Sequence, residues 1–172
     1  MIKFMGSFEK VKGLPKHPTI SEYAFIGRSN VGKSSLLNAA CGALVARVSN
    51  TPGRTRALNL FNMDDKIWLM DLPGYGYARI SKKEQIEWLE RLEEYLSGRK
   101  ELKKVFILID SRVGPKDTDK IIIDFCSKEN IPYRIVYTKC DKKDACEFSG
   151  GIMTSAEKKT GIDEVKKEIG LK

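Results

Sequence analysis

An α/β fold, with helices on both faces of a mostly parallel sheet, is predicted by three features of this chain. Strand-length apolar runs alternate with helix-period segments from residue 22 onward. The glycine-rich stretch GRSNVGKSS, 27–35, lies directly behind the apolar run YAFI and ahead of a helical pattern. The run VFILID, 105–110, stays apolar up to its aspartate, as a strand buried on both faces must. The runs give a six-stranded sheet with one antiparallel edge strand.

The elements follow in order. Residues 1–20, with Pro15 and Pro18, read as an N-terminal lead-in with room for a short strand, and 21–172 as one domain. Residues 22–26 form a strand that ends at Gly27. Residues 33–41, KSSLLNAAC, are helical, with Leu36, Leu37 and Ala40 toward the core. Residues 46–56 carry Pro, Gly and hydroxyls without an apolar period and form a loop. Strands at 57–63 and 66–72 join through Asp64-Asp65 as a hairpin. Residues 82–97 are an amphipathic helix with Ile86, Leu89, Leu92, Tyr95 and Leu96 on its stripe. A helix at 118–129, a strand at 133–138, a short strand at 151–154 and a helix at 162–169 complete the alternation.

Composition narrows the class. A chain of 172 residues buries a full core without staples, and 41% apolar with 31% charged residues is a folded composition. The net charge of +8 suits an anionic partner such as nucleic acid, and equally a plain lysine-rich surface. Cys41, Cys126, Cys140 and Cys146 show no metal spacing, and His17 is the sole histidine, which excludes a histidine metal centre or triad. No run approaches the ~20 apolar residues of a membrane span. Residues 1–10 lack the apolar core of a signal peptide. The expected setting is a reducing cytoplasm without a membrane partner.

The chemistry gathers in loops behind strands. GRSNVGKS fits G-x-x-x-x-G-K-[ST] through Gly27, Gly32, Lys33 and Ser34. Arg28, Ser29, Asn30 and Val31 fill the turn, and Ser35 follows. Such glycines let backbone N–H groups turn inward around a phosphate, and the helix N-terminus adds its dipole. Lys33 would neutralise the β- and γ-phosphates, and the Ser34 hydroxyl would ligate Mg²⁺. TKCD (Thr138, Lys139, Cys140, Asp141) names the base. A carboxylate there accepts from both N1–H and the 2-amino group of guanine, a donor pair that adenine lacks. Lys139 would lay its stem along that base.

DLPG (Asp71, Leu72, Pro73, Gly74) follows a strand. Asp71 would hold Mg²⁺, mostly through water, and the Gly74 N–H would meet the γ-phosphate. Thr154, Ser155 and Ala156 offer backbone contact to the guanine oxygen. In the 46–56 loop, Thr51 and Thr55 each offer a hydroxyl to Mg²⁺, with turn capping as the alternative.

YAFIGRSNVGKSSLLNA, TPGRTRALNLF, DLPGYGYA, LIDSRVGP and TKCD, in this order, resemble the EngB (YihA/YsxC) GTP-binding proteins of ribosome biogenesis. These form part of the translation-factor-like branch of P-loop GTPases. The likeness runs from Leu14-Pro15 to KKTGIDEV. It implies a Ras-like three-layer α/β/α fold, GTP and GDP as ligands, Mg²⁺, and slow GTP hydrolysis. It further implies the large ribosomal subunit or its precursor and rRNA as partners, with a link to cell division and septation. A working monomer is usual for small GTPases of this kind. By the resemblance, Thr55 rather than Thr51 is the Mg²⁺ hydroxyl, with Gly53 and Arg54 beside the nucleotide. In the family a longer segment precedes the Ser-containing motif, and the short 142–153 stretch here bears on the register of Ser155 and Ala156.

Ras-like enzymes orient the attacking water with a glutamine after DxxG, and this chain has Tyr75 there. Arg54 and Arg56 are candidates for a charge-neutralising finger, or for phosphate or RNA contact. Asn30 is a candidate ligand for K⁺ against the phosphates, since the chain resembles potassium-stimulated relatives with Asn here. Its alternative role is to tolerate a left-handed backbone. Lys82, Lys83, Arg99, Lys100, Lys103, Lys104, Lys158, Lys159, Lys166 and Lys167 are the candidate rRNA contacts. A switch that recruits protein effectors without ribosome binding is the alternative function.

Overall fold

The structure, a computed structural model, describes residues 2–44, 57–76 and 81–171. Its strands are β1 (Ile2–Phe8), β2 (Ser21–Gly27), β3 (Leu58–Met63), β4 (Ile67–Asp71), β5 (Leu102–Asp110), β6 (Tyr133–Thr138) and β7 (Ile152–Met153). Its helices are α1 (Lys33–Cys41), α2 (Lys82–Gly98), α3 (Asp117–Lys128) and α4 (Ile162–Glu168). The strands form one sheet in the order β1-β3-β4-β2-β5-β6-β7.

Period-two alternation on the central strands makes the three layers. Ala24 and Ile26 of β2, with Val105 and Ile107 of β5, join a core with Leu92, Tyr95 and Leu96 of α2 and Ile122 and Cys126 of α3. Phe25, Phe106 and Leu108 point the other way, onto Leu36, Leu37 and Ala40 of α1 and Ile162 and Val165 of α4. Phe25 and Phe106 stack at 5.0 Å on that second face.

Local chemistry sets the ends of the elements. Asp64 and Asp65 take φ of +52° and +55°, and the Lys66 N–H bonds Met63 O at 3.1 Å. This is the turn whose twist matches a hairpin. Ser81 starts α2 with a capping box: its Oγ accepts from the Glu84 N–H at 3.2 Å, and Glu84 Oε2 accepts from the Ser81 N–H at 2.9 Å. The stripe of α2 is displaced at its start. Ile86 is 56% exposed, and Trp88 packs against the core instead.

The strand count differs from the sequence expectation of six. Residues 2–8 of the lead-in form a seventh strand, β1, antiparallel to β3. The strand that runs against the rest, β3, therefore lies one in from the edge. The reason is that β3 carries buried Leu58, Leu60, Phe61 and Met63, and its open edge needs a backbone partner. Phe4 supplies a ring 5.4 Å from Phe61. A register shift between Phe4 and Gly6 breaks the alternation that would have revealed β1 in the sequence.

A second correction concerns Arg99, which is no surface cation. It is buried at the amino end of β2, where Nε donates to Glu22 Oε1 at 3.1 Å, a terminal nitrogen binds Glu22 Oε2, and another reaches Pro15 O at 2.8 Å. Tyr95 donates its hydroxyl to Glu22 Oε1 at 2.5 Å. Glu22 and Tyr95 are both 0% exposed, so every partner in this cluster depends on the others. Glu22→Gln leaves the buried Arg99 cation without its hydrogen-bonded counter-charge, with the more distant Glu101 carboxylate at 3.8 Å from its Nε. The expected loss is about 3 kcal/mol of unfolding free energy, read from the urea midpoint.

Candidate functional site

Four segments converge at the carboxyl ends of the parallel strands, where open α/β sheets bind ligands. The first leaves β2 at Gly27. A Cβ there would lie 2.8 Å from Leu108 O and from Val31 Cγ1, so only glycine lets the loop pass. Asn30 and Gly32 take φ of +62° and +102°, left-handed conformations that turn the chain into α1. The Val31 N–H closes the turn on Arg28 O at 3.1 Å. Helix α1 then opens with Lys33, Ser34 and Ser35, without a side-chain cap and without an acidic residue in its first turn. Its N-terminal dipole is left to attract an anion.

The second segment starts where β4 delivers Asp71 opposite Phe25. The Asp71 carboxylate pairs with the Lys33 ammonium, and the two side chains are 7% and 12% exposed. Beyond it the backbone zips onto the loop. Leu72 N–H bonds Phe25 O at 3.0 Å, Tyr75 N–H bonds Gly27 O at 3.3 Å, and Ser29 N–H bonds Tyr75 O at 2.9 Å. Gly74 lies flush on the loop, since a Cβ there would be 3.2 Å from Ser29 N. The Leu72 side chain belongs to the core, so only its backbone faces the loop.

The third segment follows β6. Thr138 Oγ1 donates to Val31 O at 2.6 Å, and Lys139 Nζ donates to Asn30 O at 2.7 Å. Lys139 has φ of +60°, which swings its side chain back over the loop. The same ammonium meets Asp110 Oδ2 at 2.9 Å, and Arg112 reaches that carboxylate through Nε at 3.0 Å and a terminal nitrogen at 2.7 Å. Burial alone would push the Asp110 carboxyl up. Hydrogen bonds from Arg112 and Lys139 outweigh it and hold the group well below the usual range.

The fourth segment stands against TKCD despite the short stretch before it. Tyr137 pairs with Met153 in the sheet, and the Cys140 N–H bonds Thr154 O at 3.0 Å. Ser155, fully buried, hydrogen-bonds the Asp141 carboxylate. That bond first, then Lys142 against the opposing effect of burial, holds Asp141 below its ordinary pKa. Lys142 Nζ lies 3.1 Å from Asp141 and 2.6 Å from Glu157. Ala156 follows at the rim, partly exposed.

Gly53, Arg54, Thr55, Thr51 and Arg56 lie outside the described residues. Among the described residues, no cluster of three or more His, Cys, Asp or Glu side chains is placed to hold a metal. Ser34 and Asp71 are hard oxygen donors of the kind Mg²⁺ takes, and phosphate oxygens would complete its sphere. Two residues escaped sequence reasoning, Asp110 and Asp119. Asp110 had a signal, a charge closing a buried apolar strand. Asp119 had none, because its partner Tyr75 is 44 residues away.

Asp110 gives a pH dependence. A carboxyl with a lowered folded pKa contributes stability above its unfolded value, near pH ~4, and loses it as pH falls further. The stability gap between the wild type and Asp110→Asn is therefore expected to hold at neutral pH and to shrink below about pH 4, measured by urea unfolding across pH. A gap that widens on acidification contradicts this assignment.

Comparison with known proteins agrees with this geometry. A family model described as a 50S ribosome-binding GTPase matches residues 22–139. The chain is 45% identical over 149 residues to the probable GTP-binding protein EngB of Aquifex aeolicus (strain VF5), covering 86% of this chain and 80% of that one. It is 42% identical over 189 residues to the EngB of Hyphomonas neptunium (strain ATCC 15444), covering 97% and 86%. With the EngB of Thermotoga sp. (strain RQ2) it is 50% identical over 125 residues, which span 73% of this chain and 64% of that relative's length. A crystal structure of a probable GTP-binding protein engB shares the fold at a TM-score of 0.71 and 22% identity, over 87% of this chain and 97% of that chain. Era in complex with MgGDPNP and nucleotides 1506–1542 of 16S ribosomal RNA aligns at a TM-score of 0.65 and 26% identity, over 89% and 56%. This chain belongs to the EngB family of GTP-binding proteins.

Proposed function

We propose that the chain is a slow, Mg²⁺-dependent GTPase that acts as a nucleotide-controlled switch in assembly of the large ribosomal subunit. One observation carries the guanine specificity: Asp141 follows a loop bolted to the P-loop through Thr138 and Lys139 and held to Thr154 O by the Cys140 N–H. An ionised carboxylate so fixed accepts from two guanine donors, and a base without them leaves it unpaired.

The phosphates would lie against the end of the P-loop turn and the N-terminus of α1, with Lys33 neutralising their charge. Mg²⁺, held by Ser34, by Asp71 through water and by Thr55, supplies charge neutralisation when bound. Tyr75 supports slow turnover. It stands where Ras-like enzymes carry a water-orienting glutamine, yet it is 3% exposed and commits its hydroxyl to Asp119. Asn30 is exposed beside the phosphate positions and is the proposed K⁺ ligand. The net charge of +8, the family name and the sequence resemblance support the ribosomal partner. Contact would run through phosphates and weaken steeply with salt. The protein would work in the cytoplasm as a monomer.

Binding and turnover test this. GDP and GTP are expected to bind and ADP not, by calorimetry, and Asp141→Asn should weaken GDP by about 100-fold while gaining xanthosine diphosphate. Retained GDP affinity in Asp141→Asn would remove the assignment. GTP hydrolysis should be faster in K⁺ than in Na⁺, and Asn30→Ala should abolish the difference. Equal rates in both salts end the K⁺ role. Co-sedimentation with large subunits in GTP but not GDP, lost at high salt, is the expected ribosomal readout; no co-sedimentation in either nucleotide state favours a switch that recruits protein effectors without ribosome binding.

A further inference from the structure

We propose that Tyr75 and Asp119 form a latch that sets the protein's preference between guanosine di- and triphosphate. The proposal rests on the nucleotide reading above and adds a determinant of which nucleotide is held. Tyr75 is a positioning residue here; its side chain points away from the phosphates.

Tyr75 is fastened at both ends. Its backbone belongs to the zipper, with its N–H on Gly27 O at 3.3 Å and its carbonyl taking the Ser29 N–H at 2.9 Å. Its ring lies 5.4 Å from Trp88 of α2, and its hydroxyl donates to Asp119 Oδ1 in the first turn of α3. Asp119 is 1% exposed, and its other oxygen takes the Lys116 N–H at 2.7 Å. Burial, then the neighbouring carboxylate, raises the Tyr75 phenol far above its ordinary value, so it remains a donor at any working pH. A hydrogen bond from a buried phenol to a buried carboxylate is among the stronger kinds. The segment after Asp71 is thus tied to the P-loop, to α2 and to α3 at a single residue.

A third phosphate needs two groups that the zipped arrangement already engages. Lys33 is paired with Asp71, and Gly74 rests against Ser29. A diphosphate meets Lys33 through its β-phosphate but ends short of Gly74, and so leaves the zipper closed. A triphosphate must draw in the Gly74 N–H, which lifts Gly74 and Tyr75 off Ser29 and pulls the phenol from Asp119. The latch free energy is then set against the triphosphate alone, which is what a state-selective ligand requires. Gly76 allows the loop to turn immediately after the latch. It has φ of +76°, and a Cβ there would lie 2.7 Å from Arg28 Nε.

The test titrates fluorescent GDP and a fluorescent non-hydrolysable GTP analogue against the wild type, Tyr75→Phe, Asp119→Asn and the double variant. The ratio of the GTP-analogue Kd to the GDP Kd is expected to fall about 5–10-fold in Tyr75→Phe. It should fall less in Asp119→Asn, whose side chain still accepts the Lys116 N–H, and the double variant should match Tyr75→Phe rather than sum the two. Trp88 emission should change on adding the GTP analogue and not GDP in the wild type. A ratio unchanged within about twofold in both single variants overturns the latch, as does an equal fall in both affinities, which marks a purely structural role. Should Tyr75→Phe fail to fold, Asp119→Asn decides alone. A wild type that binds neither nucleotide overturns the nucleotide reading itself, whereas wild-type binding with an unmoved ratio overturns only the latch.

Discussion

Two hydrogen bonds carry the arrangement at the top of this sheet: Thr138 Oγ1 to Val31 O, and Lys139 Nζ to Asn30 O. A phosphate-gripping loop must point its N–H groups inward, which turns its carbonyls outward. Those carbonyls need partners that are not the ligand. The end of β6 and the loop after it supply them, and in doing so they fix where the Asp141 carboxylate stands relative to the P-loop. The left-handed residues Asn30 and Gly32 orient the carbonyls, and Gly27 lets the whole turn sit down against β5.

The two cations of the site are treated alike. β4 ends in Asp71 and β5 in Asp110, the two strands that flank β2, and each aspartate holds one lysine. They differ in permanence. Asp110 is shared between Lys139 and Arg112, and its strongly lowered pKa marks a carboxylate fully committed to its partners. Asp71 has Lys33 alone as its charged partner among the described ion pairs. A Lys33 held by one carboxylate is easily shared with a phosphate, whereas Lys139 must remain in place to keep both the base loop and the P-loop in register.

The sequence disclosed the α/β class, the placement of most elements and the residues of the P-loop, DLPG and TKCD, because each of these rests on local information. Periodicity marks a strand, and glycines at fixed spacing mark a turn. What it hid is non-local. β1 is a strand because β3 needs a cover, and the bulge at Gly6 erases its alternation. Arg99 looked like a surface cation because its side-chain partners Glu22 and Pro15 come from other parts of the chain. Ser155 meets Asp141 through the pairing of β7 with β6, which a shortened connection left undetermined.

The two ends of β2 divide the work between rigidity and response. At the amino end, Glu22, Tyr95 and Arg99 form a fully buried, mutually satisfied cluster, expensive to open because each group would be stranded. At the carboxyl end, the contacts that hold the DLPG segment are backbone hydrogen bonds at a surface and one phenol–carboxylate bond. Local opening is expected at the end with fewer buried charged ties, which is the end of the sheet where open α/β folds meet their ligands. Tyr75 makes that opening specific. By tying DLPG to α2 and α3, it sends any displacement of Gly74 into two helices that also pack on the central strands. A glutamine at this position would orient water; under the proposed latch, a tyrosine instead couples the loop to its occupant.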